Sequence, residues 1–281
     1  MLPAMIVDLS AEVLDNRPLS AEYNVLTLSA PRIAESSQPG QFVMVKTGTA
    51  LDPLLRRPFS IFEVLRDADG RPTALSILNK RVGIGTGQVY DAARGAVLQV
   101  LGPLGLPFPA PPPSAPVWMV AGGVGVAPFW TLAESMVGSS TPMSLFYGAR
   151  RAADLHYADW FATREVQVHV STEDGSRGDR GFVTAPLARA LDAHPAGRPL
   201  AIYCCGPTPM MRAVADLAAR YGHETWVSLE QVMGCGMGGC YSCVVPTRRP
   251  DGSSHFVRSC LDGPVFAASA LVWDAMTAGH A

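Results

Sequence analysis

At 281 residues, with 48% hydrophobic and 16% charged side chains, the chain is longer than one ordinary domain and too apolar to be disordered. A formal charge of −2, from 22 basic and 24 acidic residues, leaves no net field to draw nucleic acid or an anionic membrane. No apolar run reaches the about 18 residues of a membrane span, and Met1 to Val13 lacks a basic stretch followed by a long apolar one, so a cytoplasmic location is expected.

Short β-rich runs fill the chain from about Val7 to Val100: Tyr23 to Ser29, Gln41 to Lys46, Phe59 to Val64 and Thr73 to Lys80, punctuated by Gly, Pro and Asp. This pattern predicts an antiparallel β-barrel. Two motifs stand inside it, Arg56-Arg57-Pro58-Phe59-Ser60-Ile61 and Gly83-Ile84-Gly85-Thr86. An arginine and a hydroxyl beside a strand can hold a flavin phosphate and ring, and a Gly-Thr pair at a helix start can present N–H groups. A surface arginine beside an ordinary strand and turn explains the spacing equally well.

Pro107 to Pro116, with prolines at 111, 112 and 113, can continue neither strand nor helix and reads as a stiff connector. It divides the chain into an expected barrel over 1–108 and an α/β domain over 116–222, leaving a Gly- and Cys-dense tail over 223–281. Within the middle part, strands are expected at Val117 to Ala121, Met143 to Tyr147, Val166 to Ser171 and Leu200 to Cys204. Helices are expected at Ala127 to Met136, near Leu187 to Asp192, and at Pro209 to Tyr221. Such alternation predicts a parallel sheet.

Gly122, Gly123 and Gly125 fall between the first of these strands and its helix, where backbone N–H groups and the helix dipole suit a pyrophosphate. The last glycine of G-x-G-x-x-G is missing, and a purely structural turn is the alternative. Gly148-Ala149-Arg150, Ser171 to Gly175 and Cys205-Gly206-Pro207 fall at the carboxyl ends of other strands, where a parallel sheet places its ligand crevice.

Four of the six cysteines close the chain: Cys235, Cys240 and Cys243 in a C-x4-C-x2-C spacing, then Cys260. This is the plant-type [2Fe-2S] pattern, and Gly236, Gly238 and Gly239 between the ligands permit positive φ and turn N–H groups toward sulfur. A structural zinc site usually shows paired C-x2-C knuckles; that site and four buried thiols are the competing readings.

Together these residues resemble the ferredoxin-NAD(P) reductase superfamily over nearly the whole chain, and within it the electron-transfer subunits of dihydroorotate dehydrogenase B. RRPFSI and GIGT look like that family's FAD motifs, AGGVGVAP and CGPTPMM its nucleotide motifs, and SLEQVMGCGMGGCYSCVVP with SCLDGPVF its cluster-binding tail. The fold implied is multidomain β plus α/β: an antiparallel FAD-binding barrel, a parallel α/β nucleotide-binding domain and a small [2Fe-2S] domain. The resemblance implies FAD contacts at Arg57, Pro58, Phe59 and Ser60, with Leu78, Asn79 and Lys80 along the flavin and Gly85 and Thr86 at its pyrophosphate. It implies NAD(P) as a substrate at Gly122, Gly123, Gly125, Cys205, Gly206 and Pro207, and the cluster on Cys235, Cys240, Cys243 and Cys260. Phe59 stands where the superfamily often has tyrosine, and 16 residues separate Cys243 from Cys260.

Such a chain would pass electrons between [2Fe-2S], FAD and NAD(P) for a separate FMN-containing catalytic subunit, two of each in a heterotetramer, with no contact to nucleic acid or membrane and no pyrimidine chemistry of its own. The alternatives are a stand-alone NAD(P)H:acceptor reductase, a reductase subunit of another redox complex, and a non-catalytic redox-sensing subunit.

Overall fold

Alternation of apolar and polar residues builds the first sheet. In the computed structural model, which describes residues 6–48 and 53–277, strand β1 (Val7–Pro18) buries Val7, Ala11 and Val13 while Asp8, Ser10 and Glu12 face water. It is joined by β2 (Tyr23–Leu28), β3 (Phe42–Lys46), β4 (Arg57–Ser60), β5 (Glu63–Arg66), β6 (Pro72–Lys80) and β7 (Val97–Leu104). Their order, β4-β3-β7-β1-β2-β6-β5, is antiparallel throughout, and the sheet curls until β4 packs against β6. Val13, Leu26, Val43, Val45, Ile77 and Val100 lie in the core it encloses.

The single run expected at Phe59 to Val64 is two strands. Ile61 N–H donates to Gln41 O and Phe62 N–H to Ser76 O, so at these two residues the chain leaves β3 for β6. As a result β4 and β5 end up at opposite edges of the sheet.

The second sheet holds β8 (Val117–Gly122), β9 (Met143–Ala149), β10 (Val166–Thr172), β11 (Asp179–Arg180), β12 (Ala201–Cys205) and β13 (Thr225–Ser228), all parallel. β8 and β12 are buried at every position, as central parallel strands must be when both faces are covered. Helices Ala127–Met136 and Ala158–Ala162 cover one face, and Thr184–Ala193 and Thr208–Arg220 the other. The spatial order β10-β9-β8-β12-β13 reverses direction between β8 and β12, which is the switch point of a doubly wound sheet.

β14 (Val244–Arg248) and β15 (Ser254–Arg258) form a separate hairpin, and β16 (Val265–Ala267) returns to pair antiparallel with β13. Both β13 and β16 come from the 223–281 stretch, whose last residues lie outside the described ones. The connector is pinned as well as stiff. Phe108 stacks on Phe129 at 5.6 Å, and Tyr203 donates its hydroxyl to Pro109 O at 2.7 Å.

At the seam between the sheets, Glu63 of β5 and Glu134 of helix Ala127–Met136 line one groove with Arg66 and Arg164. Burial pushes both carboxyls above their usual range, and the charge of Glu63 raises Glu134 further. A raised carboxyl pKa gives stability that is complete at acidic pH and is lost as pH rises through the folded-state value. Glu134→Gln should therefore raise the thermal midpoint at about pH 8 and leave it unchanged at about pH 4, measured by differential scanning fluorimetry.

Candidate functional site

The candidate site residues fall into three groups, carried by the two sheets and by the stretch that follows β13. The first is at the barrel edge. Because β4 ends its sheet, one row of its backbone N–H and C=O groups faces away from β3. Arg57 leans from this strand over Gly85, where an added Cβ would stand 3.2 Å from the arginine Cγ and Nε. Thr86 Oγ1 accepts the N–H groups of Val82 and Gly83 at 2.8 and 3.0 Å and so shapes the start of helix Ile84–Tyr90.

Three asparagines fasten that helix. Asn79 Nδ2 donates to Asn24 Oδ1 at 2.7 Å and to Thr86 O at 3.0 Å, Asn24 Nδ2 donates to Asn16 Oδ1 at 2.6 Å, and Asn16 Nδ2 donates to Tyr90 O at 2.9 Å. Asn79 is fully buried, with its amide nitrogen committed to the helix and its Oδ1 left without a protein partner. Leu78 packs in the seam core, and Lys80, half-buried, lies over the Tyr23 ring. Phe59 is in the barrel core, a position where a ring without a hydroxyl needs no polar partner, while Pro58 and Ser60 stay partly open. Free edge backbone, a cation at a helix start and an unsatisfied buried acceptor suit a flavin with its pyrophosphate.

The second group sits at the switch point. Cys205 and Ala121 are register partners on β12 and β8, so the turns that follow them touch. A Cβ on Gly125 would lie 2.3 Å from Cys205 O and 2.8 Å from Gly206 N; one on Gly122 would lie 2.9 Å from Pro207 Cδ. Only glycine allows this approach. Gly123 has open space where its Cβ would be, and its carbonyl accepts the Tyr147 hydroxyl at 3.1 Å. Burial pushes the Cys205 thiol up to about 12, with the charge of Glu230 adding to it, so this cysteine is a neutral group at the crevice floor. Backbone N–H groups at the start of a helix in such a crevice are the kind of arrangement that suits an anion.

The third group is the cysteine loop. Cys243 and Cys260 are buried in one apolar cluster with Phe42, Met44, Leu101 and Leu104 of the barrel, whereas Cys240 is exposed and Cys235 half-buried. Gly236 and Gly238 have φ of 73° and 78°, and a Cβ on Gly238 would meet Leu261 Cδ1 at 2.4 Å. Met237 N–H donates to Cys235 Sγ at 3.4 Å. The Ser242 hydroxyl first, then hydrogen bonds that include Cys235, bring the Cys240 thiol down to about 6; burial first, then Cys243, pushes Cys260 up to about 12.

Cys235 is among the hydrogen-bonding neighbours of Cys240, and Cys243 is the main thiol neighbour of Cys260, which also feels Cys235. Two cysteine pairs suit the two irons of a [2Fe-2S] cluster held by four thiolates.

Sequence reasoning had no signal for Asn16, Asn24 or Tyr147, which act from within strands, or for Ser242, whose partner is set by loop geometry. Cys204, adjoining Cys205, faces the other side of its strand and is wholly buried.

Comparison with known proteins agrees with this layout. A family profile for the iron–sulfur cluster binding domain of dihydroorotate dehydrogenase B matches residues 230–272, and one for an oxidoreductase NAD-binding domain matches residues 119–216. The chain is 36% identical over 264 residues to the dihydroorotate dehydrogenase B (NAD(+)) electron transfer subunit of Bacillus caldolyticus, covering 92% of this chain and 96% of that one. It is 35% identical to the subunit of the same name from Desulforamulus reducens, covering 89% and 92%. Among solved structures it is similar to an NADH-dependent reduced ferredoxin-NADP oxidoreductase studied for flavin-based electron bifurcation, with a TM-score of 0.78, 26% identity and coverage of 95% and 91%. A ferredoxin reductase of carbazole 1,9a-dioxygenase shares the fold, with a TM-score of 0.65, 23% identity and coverage of 78% and 68%.

The contact between the two glycine turns is directly testable. Gly125→Ala should weaken NADH binding at least tenfold, about 1.4 kcal/mol, while flavin content stays at the parent level. Stopped-flow bleaching of flavin against NADH concentration gives the first quantity and cofactor extraction the second.

Proposed function

The chain belongs to the dihydroorotate dehydrogenase B electron transfer subunits, and from that membership we propose that it carries electrons between an FMN-containing dihydroorotate dehydrogenase subunit and NAD+. It is an oxidoreductase subunit with flavin, iron–sulfur and nicotinamide chemistry, and its family name implies a catalytic partner. When bound, FAD exchanges a hydride with the nicotinamide and single electrons with [2Fe-2S], so the redox chemistry is the cofactors' own.

The protein's contribution is placement. Arg57, with Gly85 and Thr86, would hold the FAD pyrophosphate, and the free edge at Pro58 to Ser60 and the Leu78 to Lys80 segment would flank the ring. Gly122, Gly123, Gly125, Gly206 and Pro207 would take the dinucleotide, with Cys205 a neutral neighbour of the nicotinamide. Cys235, Cys240, Cys243 and Cys260 would ligate the cluster. No side chain is assigned as a general acid or base.

One observation carries this reading: Cys243 and Cys260 share a core with Phe42 and Met44 of β3, the strand that pairs with the Arg57–Ser60 strand. The cluster loop therefore sits one strand from the flavin corner. Preference for NAD+ is supported at the end of β9. Arg151 is paired with Asp154 at 3.3 Å and Glu22 at 3.9 Å, and Glu173 and Asp174 run beside Ala149 and Arg150, which disfavours a 2′-phosphate. Among the described residues no helix is long and apolar enough to cross a membrane. A cytoplasmic complex of two copies of each subunit completes the proposal. The likeness to the ferredoxin-NADP oxidoreductase favours a reductase subunit of a different complex as the second reading.

Anaerobically purified protein should contain one FAD and one [2Fe-2S] per chain and should retain a dihydroorotate dehydrogenase subunit in a pull-down. Zinc in place of iron and sulfide, or absence of flavin, would overturn the electron-transfer role; capture of a different oxidoreductase would favour the second reading. Cys240→Ser should abolish partner-coupled turnover while NADH still bleaches the flavin at close to the parent rate. Full coupled turnover in a variant without iron would make the cluster structural.

A further inference from the structure

Ser242 stands between Cys240 and Cys243 and is none of the four ligands. Its Oγ lies 3.2 Å from Cys240 Sγ and accepts the Gly234 N–H at 2.8 Å. A hydroxyl has one proton and two lone pairs. The Gly234 bond occupies a lone pair, so the proton remains free to point at sulfur. A free thiol could itself be the donor in this contact, but a ligating thiolate carries no proton, so with the cluster in place the serine has to donate.

Gly234 completes the arrangement, because a Cβ there would sit 3.1 Å from Cys240 Sγ and 3.3 Å from Ser242 Oγ. The turn is therefore folded tightly around this one O–H and sulfur pair. Cys240 is the exposed member of the four, and the Ser242 hydroxyl is in direct contact with its sulfur.

We propose that Ser242 is a positioning residue that donates a hydrogen bond to the ligating sulfur of Cys240 and thereby holds the reduction potential of the [2Fe-2S] cluster above the value the same loop would give without it. The inference rests on the cluster reading above. In the one-electron couple the oxidised cluster gains an electron and no proton is transferred. The added negative charge spreads onto the ligating sulfurs, and a donor aimed at one of them stabilises the reduced form more than the oxidised form.

The test is an EPR-monitored potentiometric measurement with dithionite as reductant, on the parent and on Ser242→Ala, Ser242→Gly and Ser242→Thr. In the alanine and glycine variants the ratio of reduced to oxidised cluster at a fixed potential should fall between roughly threefold and tenfold; the tenfold case corresponds to about 59 mV for one electron. The threonine variant keeps the hydroxyl and should stay with the parent. Resonance Raman bands of Fe–S(Cys) stretching should move up in the two truncations, because a lost hydrogen bond strengthens the iron–sulfur bond. Two truncations keep the measurement available if one of them holds its cluster poorly.

Unchanged potential and unchanged Raman bands in a truncation that retains its cluster would overturn the role of Ser242 and leave the electron-transfer reading intact. An equal shift in the threonine variant would also overturn it, assigning the effect to loop packing. A parent protein with no [2Fe-2S] signal after anaerobic reconstitution would overturn both.

Discussion

Strand β3 has no solvent face, and the rest of the molecule depends on that. Val43 and Val45 point into the barrel, and Phe42 and Met44 point the other way, into the core that encloses Cys243 and Cys260. The strand that pairs with Arg57–Ser60 thus also packs on Cys243, which the chain encodes 186 positions after Arg57, so both segments are held to one rigid element. Core packing at crystal-like density resists small displacements, so the distance between the sites is set by side-chain volume along one short strand. Cys243 and Cys260 are buried while Cys240 is exposed and Cys235 half-buried, which gives the cluster loop an inward and an outward end.

The second sheet applies a different constraint. Its reversal of strand order brings two turns together at the carboxyl ends of β8 and β12, and the glycines there are spaced for backbone contact as much as for a ligand. Tyr147 reaches from β9 to hold the first turn by its carbonyl. The asparagines at 16, 24 and 79 do the equivalent work in the barrel, binding backbone carbonyls of helix Ile84–Tyr90 and of the turn after it. In both sheets buried polar side chains hold the turns that shape the sites.

Much of this was legible in the residues alone. The apolar runs of the parallel sheet, the connector prolines and the cysteine spacing carry their meaning locally, because period, ring stiffness and ligand spacing are short-range properties. Phe59 to Val64 read as one strand because β propensity continues through Ile61 and Phe62; only pairing with Gln41 and Ser76, remote in sequence, divides it. The links from the asparagines to the helix were invisible for the same reason, since a hydrogen bond between distant residues leaves no periodic trace, and the Ser242 contact depends on the path of an irregular loop. Asn79 shows a second role that the residues alone do not reveal. The resemblance implies a place along the flavin, and the fold also gives its amide nitrogen to a neighbouring asparagine and a helix carbonyl.

The way the tail is stitched into the molecule limits how such a protein can be rearranged. β16 closes the edge of the second sheet against β13, Leu106 N–H donates to Gly263 O, and Leu229 N–H donates to Pro264 O. The cysteine loop is therefore an interruption spliced between two strands of the nucleotide-binding sheet, with both of its ends anchored. It cannot be exchanged as a terminal cassette, because a cut before β13 removes two strands from the sheet and a cut after it leaves β16 unmatched. Recombination between relatives would have to preserve the sheet edge on both sides of the loop, so the electron-carrying module and the nucleotide-binding module are constrained to be inherited as one unit.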